Sequence, residues 1–341
     1  MTEPHQDKSS SATASMRMMN LLSGFQVSQA LYVVAELNVA TALVNGPRPL
    51  TELAAVTGAD ADALRRIVRF LATIGVFDVT EELIALTTLG RTLAEGVPGS
   101  MRDTARYFME ALYPAFTALP HTAKTGEIAA DHYYGMPFFD WVNTSEHLVD
   151  VQNRAMANGA GARDDSFYDD YALPPGAVTV DVGGADGTML VRLLANHPGR
   201  RGIVFDRPDV VAGAEATLAR SGVADRIQAV GGDFFDSVPA GDVHVLSVVL
   251  HNWDDRSATH ILDNVSRATT PGARLVVIEM VLPEDNTSFY ATSIDMVMLA
   301  MLSGRERTES EWRALLDRSG FTLDRIVPSH TPYSFIEATR R

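Results

Sequence analysis

The chain has 341 residues, 46% of them hydrophobic, enough for two domains with cores of their own. Lys and Arg number 28 against 43 Asp and Glu, a formal net charge of −15, which argues against nucleic acid or an anionic membrane as a partner and for a small molecule. Cysteine is absent, so disulfides, thiolate metal sites and thiol nucleophiles are excluded together; this fits a cytoplasmic protein, and no metal site is expected.

Residues 1–15 are polar and small, without the basic start and apolar core of a signal peptide, and read as a disordered tail. From Met16 to Val44 the residues Leu21, Leu22, Phe25, Ala30, Leu31, Val34, Ala35, Leu37 and Leu43 recur at helical spacing, giving one long or two consecutive helices stopped by Gly46-Pro47. A short helix over Leu50 to Gly58 follows. Leu64, Ile67, Val68, Leu71 and Ile74 then form a helical stripe ended by Gly75, and Val76 to Leu86 makes a small hairpin. Helix, turn, helix and wing over residues 16–100 is the outline of a winged-helix module. Its second helix carries Arg65, Arg66 and Arg69, which raises DNA binding, but three arginines on a solvated face of an acidic chain fit dimerisation through the first helix better.

Residues 101–173 read as further helices, a linker or substrate lid. The aromatics Tyr107, Phe108, Tyr113, Phe116, Tyr133, Tyr134, Phe138, Phe139 and Trp141 suit either core packing or the wall of a pocket for a flat apolar ligand. Pro174-Pro175-Gly176 opens a second domain, residues 174–341. There, an opening strand that begins at Val178 within the strand-and-loop stretch 178–188, and strands at Gly202 to Asp206, Ile227 to Val230, Val243 to Val249 and Leu275 to Met280, alternate with helices at Thr188 to Asn196, Pro208 to Ser221 and Arg256 to Thr270. A helix over Thr308 to Ser319 precedes two closing strands, Phe321 to Val327 and Ser334 to Glu337. This order predicts the α/β class, a mainly parallel seven-stranded sheet with ligand sites beyond the strands' carboxyl ends. Apolar runs such as Ile294 to Leu302 are interrupted by Asp295 and fall short of the roughly 20 residues of a membrane span, so no membrane insertion is expected.

Asp181, Gly183, Gly184 and Gly187 form an acidic, glycine-rich turn after the first strand of that domain, but Ala185, Asp186 and Thr188 break the dinucleotide register G-x-G-x-x-G. Asp206, 25 residues after Asp181, ends the next strand, where a carboxylate can accept from both hydroxyls of a ribose. Asp233 and Phe234, after the third strand, could meet the amine and the ring of an adenine. Each of these residues alone also suits an ordinary turn. Together they describe an adenosine site without a phosphate loop, which points to S-adenosylmethionine ahead of NAD or ATP. His251, after the fourth strand, is a candidate general base or a structural histidine, and Glu279 and Glu306 are possible carboxylate partners.

The ordered set Asp-Val-Gly-Gly-x-x-Gly, Phe-Asp-x-Pro, Gly-Asp-Phe-Phe, Leu-His-x-Trp-x-Asp, Val-Ile-Glu and Arg-Glu-Arg-Thr resembles the S-adenosylmethionine-dependent small-molecule O-methyltransferases of plants and of bacterial natural-product pathways. The resemblance implies a Rossmann-like methyltransferase sheet and an N-terminal, mostly helical winged-helix domain that makes a homodimer. It implies His251 as general base flanked by Glu279 and Glu306, and a small aromatic substrate methylated on a phenolic or enolic hydroxyl. Asp181, Gly183, Gly184, Asp206, Asp233, Phe234, Ser247 and Trp253 fall at cofactor positions, and Met156, Asn252 and Met298 at substrate positions. Ala185 stands where a glycine is common, which a negative φ would allow. Ser247 replaces a lysine of the plant enzymes, and Asn252 a frequent aspartate. Methylation of carbon or nitrogen, a non-methylating tailoring reaction and a winged-helix transcriptional regulator are the alternatives.

Overall fold

The computed structural model describes residues 8–162, 166–285 and 287–341, and the chain divides into two compact units, Met1–Pro114 with Phe139–Arg163 and Ala115–Phe138 with Asp164–Arg341. The stretch 101–173, expected as one helical linker, is therefore shared between the units.

The first unit begins with helices Lys8–Leu22 and Gly24–Glu36, so the tail expected over 1–15 is helical from Lys8 onward, and its first seven residues lie outside the described residues. Helices Leu50–Thr57 and Ala61–Ala72 follow, the first capped by Gly58 at φ 68°, the second by Asp60, whose side chain accepts from the Ala63 amide. Leu64, Val68 and Leu71 of the expected stripe are buried against Val34, Leu53, Phe77 and Ile84, while Ile74 is exposed. Strands β1 (Arg48–Pro49), β2 (Phe77–Thr80) and β3 (Leu83–Leu86) complete the wing in the order β1-β3-β2. Arg65, Arg66 and Arg69 are exposed. So are Met16, Met18, Met19, Leu21, Leu22 and Phe25 on the first two helices.

The second unit carries β4 (Val178–Val182), β5 (Arg201–Asp206), β6 (Ile227–Gly231), β7 (Val243–Ser247), β8 (Arg274–Leu282), β9 (Arg307–Thr308), β10 (Phe321–Pro328) and β11 (Tyr333–Arg340). The main path of the sheet has seven strands in the order β10-β11-β8-β7-β4-β5-β6, with β9 paired to the far end of β8. Strands β4 to β8 are parallel, and β11 runs antiparallel between β8 and β10. Successive residues of one strand go to opposite cores. Leu275 and Val277 face Ile261, Leu262, Trp312 and Leu315, whereas Val276 and Ile278 face Leu190, Leu193 and Leu194. A sheet covered on both sides needs such continuous apolar strands, each buried side chain contributing roughly 1.5–3 kcal/mol.

Several boundaries differ from the sequence reading. β7 stops at Ser247, not Val249, because Val248 adopts φ 56°. The helix expected over Pro208 to Ser221 is two, Pro208–Val211 and Ala214–Ser221. β9 and the helix Phe289–Met301 had no strand or helix assigned to them from sequence, β9 because two residues carry no periodicity.

Candidate functional site

Gly183 and Gly184 follow β4 and donate their amides to the Phe205 carbonyl at 2.8 and 3.2 Å, which folds the loop back over β5. A Cβ on Gly183, at φ 77°, would stand 2.8 Å from a Val249 methyl, and one on Gly184 would stand 2.6 Å from the Asp181 carboxylate, so both positions need glycine. Ala185 sits at φ 48°, not at the negative φ that would have made its side chain cost-free. Its amide donates to Asp206 Oδ2 at 2.9 Å, and the Arg207 amide donates to Oδ1 at 2.7 Å. The carboxylate that ends β5 thus ties the glycine loop to its own strand.

Asp181 lies beneath that loop, 1% exposed, and neither carboxylate oxygen has a hydrogen-bond partner among the described residues. Burial, then the charges of Asp206 and Asp186, push its carboxyl well above the usual range. Asp233 is exposed and accepts from the Phe235 amide at 2.8 Å. Phe234 and Phe235 meet Trp253 edge to face, at centroid separations of 6.1 and 4.8 Å, so Phe235 shares a cluster in which the sequence singled out only its neighbours. The Ser247 hydroxyl at the end of β7 is 3.5 Å from that of Tyr168.

Ser247 pairs with Ile278, so Glu279 is the first residue of β8 past the end of β7. Its side chain meets the turn that β7 runs into. One oxygen of Glu279 accepts three consecutive amides, Val249 and Leu250 at 2.9 Å and His251 at 3.3 Å. Immediately before them Val248 holds a left-handed φ, unusual for a β-branched side chain and maintained only where the surroundings over-determine it. Its carbonyl accepts from Asn252 Nδ2 at 3.2 Å.

His251 is buried, and its Nδ1 bonds Glu306 Oε1 at 2.8 Å while Glu279 Oε2 lies 3.9 Å away. Burial disfavours the charged ring, but Glu279 and Glu306 outweigh it and raise the pKa above 6.5. Burial pushes the Glu279 carboxyl up to about 7 against the opposing pull of His251. The ligand atoms of the three residues lie within 4.8 Å of one another, a spacing that also suits a divalent cation. Glu306 is placed by its own amide, which donates to Asp295 Oδ1 at 2.9 Å, and by Gly304, where a Cβ would collide with the His251 carbonyl at 1.9 Å. Met298 is buried on the helix Phe289–Met301, and Met156 is exposed on the helix Glu146–Ala162 of the first unit.

The sequence reading did not single out Arg307 or Asp295. Arg307 is fully buried and reaches the carbonyls of Leu250 and Trp253 and the Asp255 carboxylate. Charged residues are seldom buried, so composition and spacing point away from such a role.

The mainly parallel sheet, with a glycine loop after β4 and a carboxylate ending β5, places the chain among the α/β methyltransferase folds. Residues 116–322 match the O-methyltransferase domain and residues 19–96 the O-methyltransferase dimerisation domain. The chain belongs to the O-methyltransferase family and is an S-adenosylmethionine-dependent enzyme. It is 38% identical over 323 residues to the phenazine O-methyltransferase PhzM of Lysobacter antibioticus, covering 94% of this chain and 95% of that one. It is 36% identical to the 3-amino-4-hydroxybenzoate 4-O-methyltransferase of Streptomyces cremeus, covering 96% and 91%. The structure of CalO1, a methyltransferase in calicheamicin biosynthesis in its SAH-bound form, superposes with a TM-score of 0.86 at 32% identity over 98% of this chain and all of that one. The glycine cradle and the buried, unpartnered Asp181 fit such a cofactor. No helix of the described residues is long and apolar enough to cross a membrane.

Proposed function

We propose that the enzyme methylates a phenolic or enolic hydroxyl of a small aromatic natural product, with His251 as the general base. The observation that carries this reading is the bond from His251 Nδ1 to Glu306 at 2.8 Å. A neutral imidazole that donates through Nδ1 keeps its lone pair on Nε2, so the ring is set to accept a proton there. S-adenosylmethionine supplies the methyl group on a sulfonium and leaves as the thioether. A phenol, with a pKa of about 10, is a poor nucleophile at neutral pH, and Nε2 takes its proton as the oxygen acquires the methyl. Glu306 then faces an imidazolium, and its buried negative charge stabilises that ion.

In this reading Gly183, Gly184, Asp206, Asp233, Phe234, Ser247, Trp253 and Asp181 line the cofactor site, while Asn252 and Met298 border the acceptor. The aromatic acceptors in the names of the PhzM and hydroxybenzoate relatives support that substrate class. The match of residues 19–96 to a dimerisation domain and the exposed Met16, Met19, Leu22 and Phe25 support a homodimer. The acidic, cysteine-free composition supports a cytoplasmic location.

The test is transfer of labelled methyl from S-adenosylmethionine to a panel of phenols and hydroxyquinones, with wild type and His251→Ala compared at equal cofactor saturation. The reading expects O-methylated product and a loss of roughly 10²–10⁴-fold in kcat for the variant. Near-wild-type turnover by His251→Ala, or label recovered on carbon or nitrogen, overturns it.

A further inference from the structure

The turn that presents His251 is held on both of its polar sides. The amides of Val249, Leu250 and His251 go to one carboxyl oxygen of Glu279. Two of the flanking carbonyls go to a guanidinium and the one between them to a backbone amide. Arg307 Nη1 donates to the Leu250 carbonyl at 3.1 Å and Nη2 to the Trp253 carbonyl at 2.9 Å, while the Arg305 amide donates to the His251 carbonyl at 2.8 Å. We propose that Arg307 is a positioning residue for the base: its buried guanidinium grips the backbone on both sides of His251 and, as the chain neighbour of Glu306, holds the ring in register with that carboxylate.

Three further observations make the guanidinium a fixed point. Nε donates to Asp255 Oδ1 at 3.0 Å, the planar group lies 5.3 Å from the centre of the buried Trp312 ring, and the Arg307 backbone pairs with Val281 in β9. Val281 is two residues along β8 from Glu279, so one strand anchors both the guanidinium and the carboxyl group that hold the turn. An arginine suits this task because its rigid fork reaches two carbonyls and a carboxylate at once, which the single ammonium of a lysine cannot do. A displacement of about 1 Å at a reacting group can cost on the order of 10²-fold in rate, so a grip on the base's backbone has kinetic weight without touching substrate.

The inference rests on His251 being the base, and a double-mutant cycle separates the two ideas. Arg307→Lys keeps the charge and loses the fork; Asp255→Asn, on a half-exposed carboxylate, loosens the same guanidinium more gently. Each is made in wild type and in His251→Ala, with folding monitored by thermal melting and cofactor affinity by calorimetry with S-adenosylhomocysteine. Arg307→Lys is expected to lower kcat by roughly 10- to 100-fold, with acceptor KM, S-adenosylhomocysteine affinity and the acid limb of the pH profile unmoved, and to add no further loss in the His251→Ala background. Asp255→Asn should follow the same pattern with a loss of only a few fold, and it carries the test if the lysine variant does not fold. Losses that multiply with that of His251→Ala, or a moved pH limb at unchanged kcat, overturn the positioning role. Retained activity in His251→Ala alone instead overturns the general-base reading.

Discussion

Two carboxylates lie buried at the same edge of the sheet, and they are used in opposite ways. Glu279, past the end of β7, accepts three backbone amides through one oxygen. Asp181, at the end of β4, has no hydrogen-bond partner among the described residues for either oxygen. Both are driven toward their neutral forms by burial. On the proposed roles, the difference follows from what each region must do before a ligand arrives. A base has to be aimed in advance, because orientation gained only during reaction gives little acceleration, so the turn around His251 is over-determined down to the left-handed Val248. A cofactor cradle can leave polar groups unsatisfied, because the incoming ligand's own donors then gain more from meeting them.

The largest effects should separate the two glutamates beside His251. Glu306 bonds the ring, Glu279 mainly the backbone. In Glu306→Gln the amide no longer offers a charge to the imidazolium, and kcat should fall by about 10²-fold. In Glu279→Gln the side-chain oxygen can still accept the three amides, so the loss should stay under about 10-fold. Steady-state kinetics that rank the two variants the other way would break the contrast between aiming the ring and holding the turn.

The pH dependence sharpens the same point. His251 must be neutral to accept a proton, and its pKa is raised above 6.5 by Glu279 and Glu306 against the effect of burial. Activity should therefore rise with pH along a limb centred above 6.5, and Glu306→Gln, which removes one raising charge, should move that limb to lower pH. A limb that moves upward instead would exclude Glu306 as the partner that favours the charged ring. Chelation with EDTA should leave the profile unchanged, since the carboxylates bind the ring and its backbone directly; loss of activity that Zn²⁺ or Mg²⁺ restores would favour a metal in their midst.

Most of the second unit was legible because its physics is local: β-branched runs, glycine turns and strand-end carboxylates identify β4, β5, β7 and β8 within a residue or two. His251, Glu279 and Glu306 were legible as types at strand and loop ends, and they do come together. Asp206 does end β5 as expected, and there its carboxylate accepts from the amides of Ala185 and Arg207. What was not legible depends on register and burial. That Glu279 stands one residue past the end of β7 is a property of the β7–β8 pairing, and that Arg307 is buried depends on Trp312 and Asp255 meeting it from two separate helices. The condition set for Ala185, a negative φ, is not met, because a residue's identity shows a tolerated side chain and not the backbone strain it has accepted.

On the cofactor side, Asp181→Asn tests whether the unsatisfied group is there for the ligand. The Asp181 carboxyl titrates well above 3.8 in the folded protein, so the folded chain holds a proton that the unfolded chain releases. Stability from this group is complete below 3.8 and is lost as pH rises toward the folded value, leaving a penalty at neutral pH. The asparagine variant should remove that penalty and raise the cofactor-free melting temperature, by roughly 2–4 °C or less for each kcal/mol recovered in a chain of this size. It should also weaken S-adenosylhomocysteine by about tenfold, the worth of one charge-assisted bond. A variant that melts lower at pH 7 and binds as before would make Asp181 a structural acid like any other.

The smallest expected effect is at Ala185, and it is small because two contributions of similar size oppose each other. A left-handed φ costs an alanine roughly 1–2 kcal/mol, which Ala185→Gly would relieve. The glycine also widens the unfolded ensemble, which costs about 0.4–1 kcal/mol. The net change should be a stabilisation of about 0–1.6 kcal/mol, read as a shift of a few degrees in a thermal melt. The bond from the Ala185 amide to Asp206 decides how the cofactor site responds. If that bond pins the loop, the glycine variant keeps its S-adenosylhomocysteine affinity; if the alanine's stiffness is what holds the loop over β5, affinity falls while the melting temperature does not. The first outcome leaves the cradle defined by its hydrogen bonds, with Ala185 a tolerated substitution at a position that still bends as a glycine would.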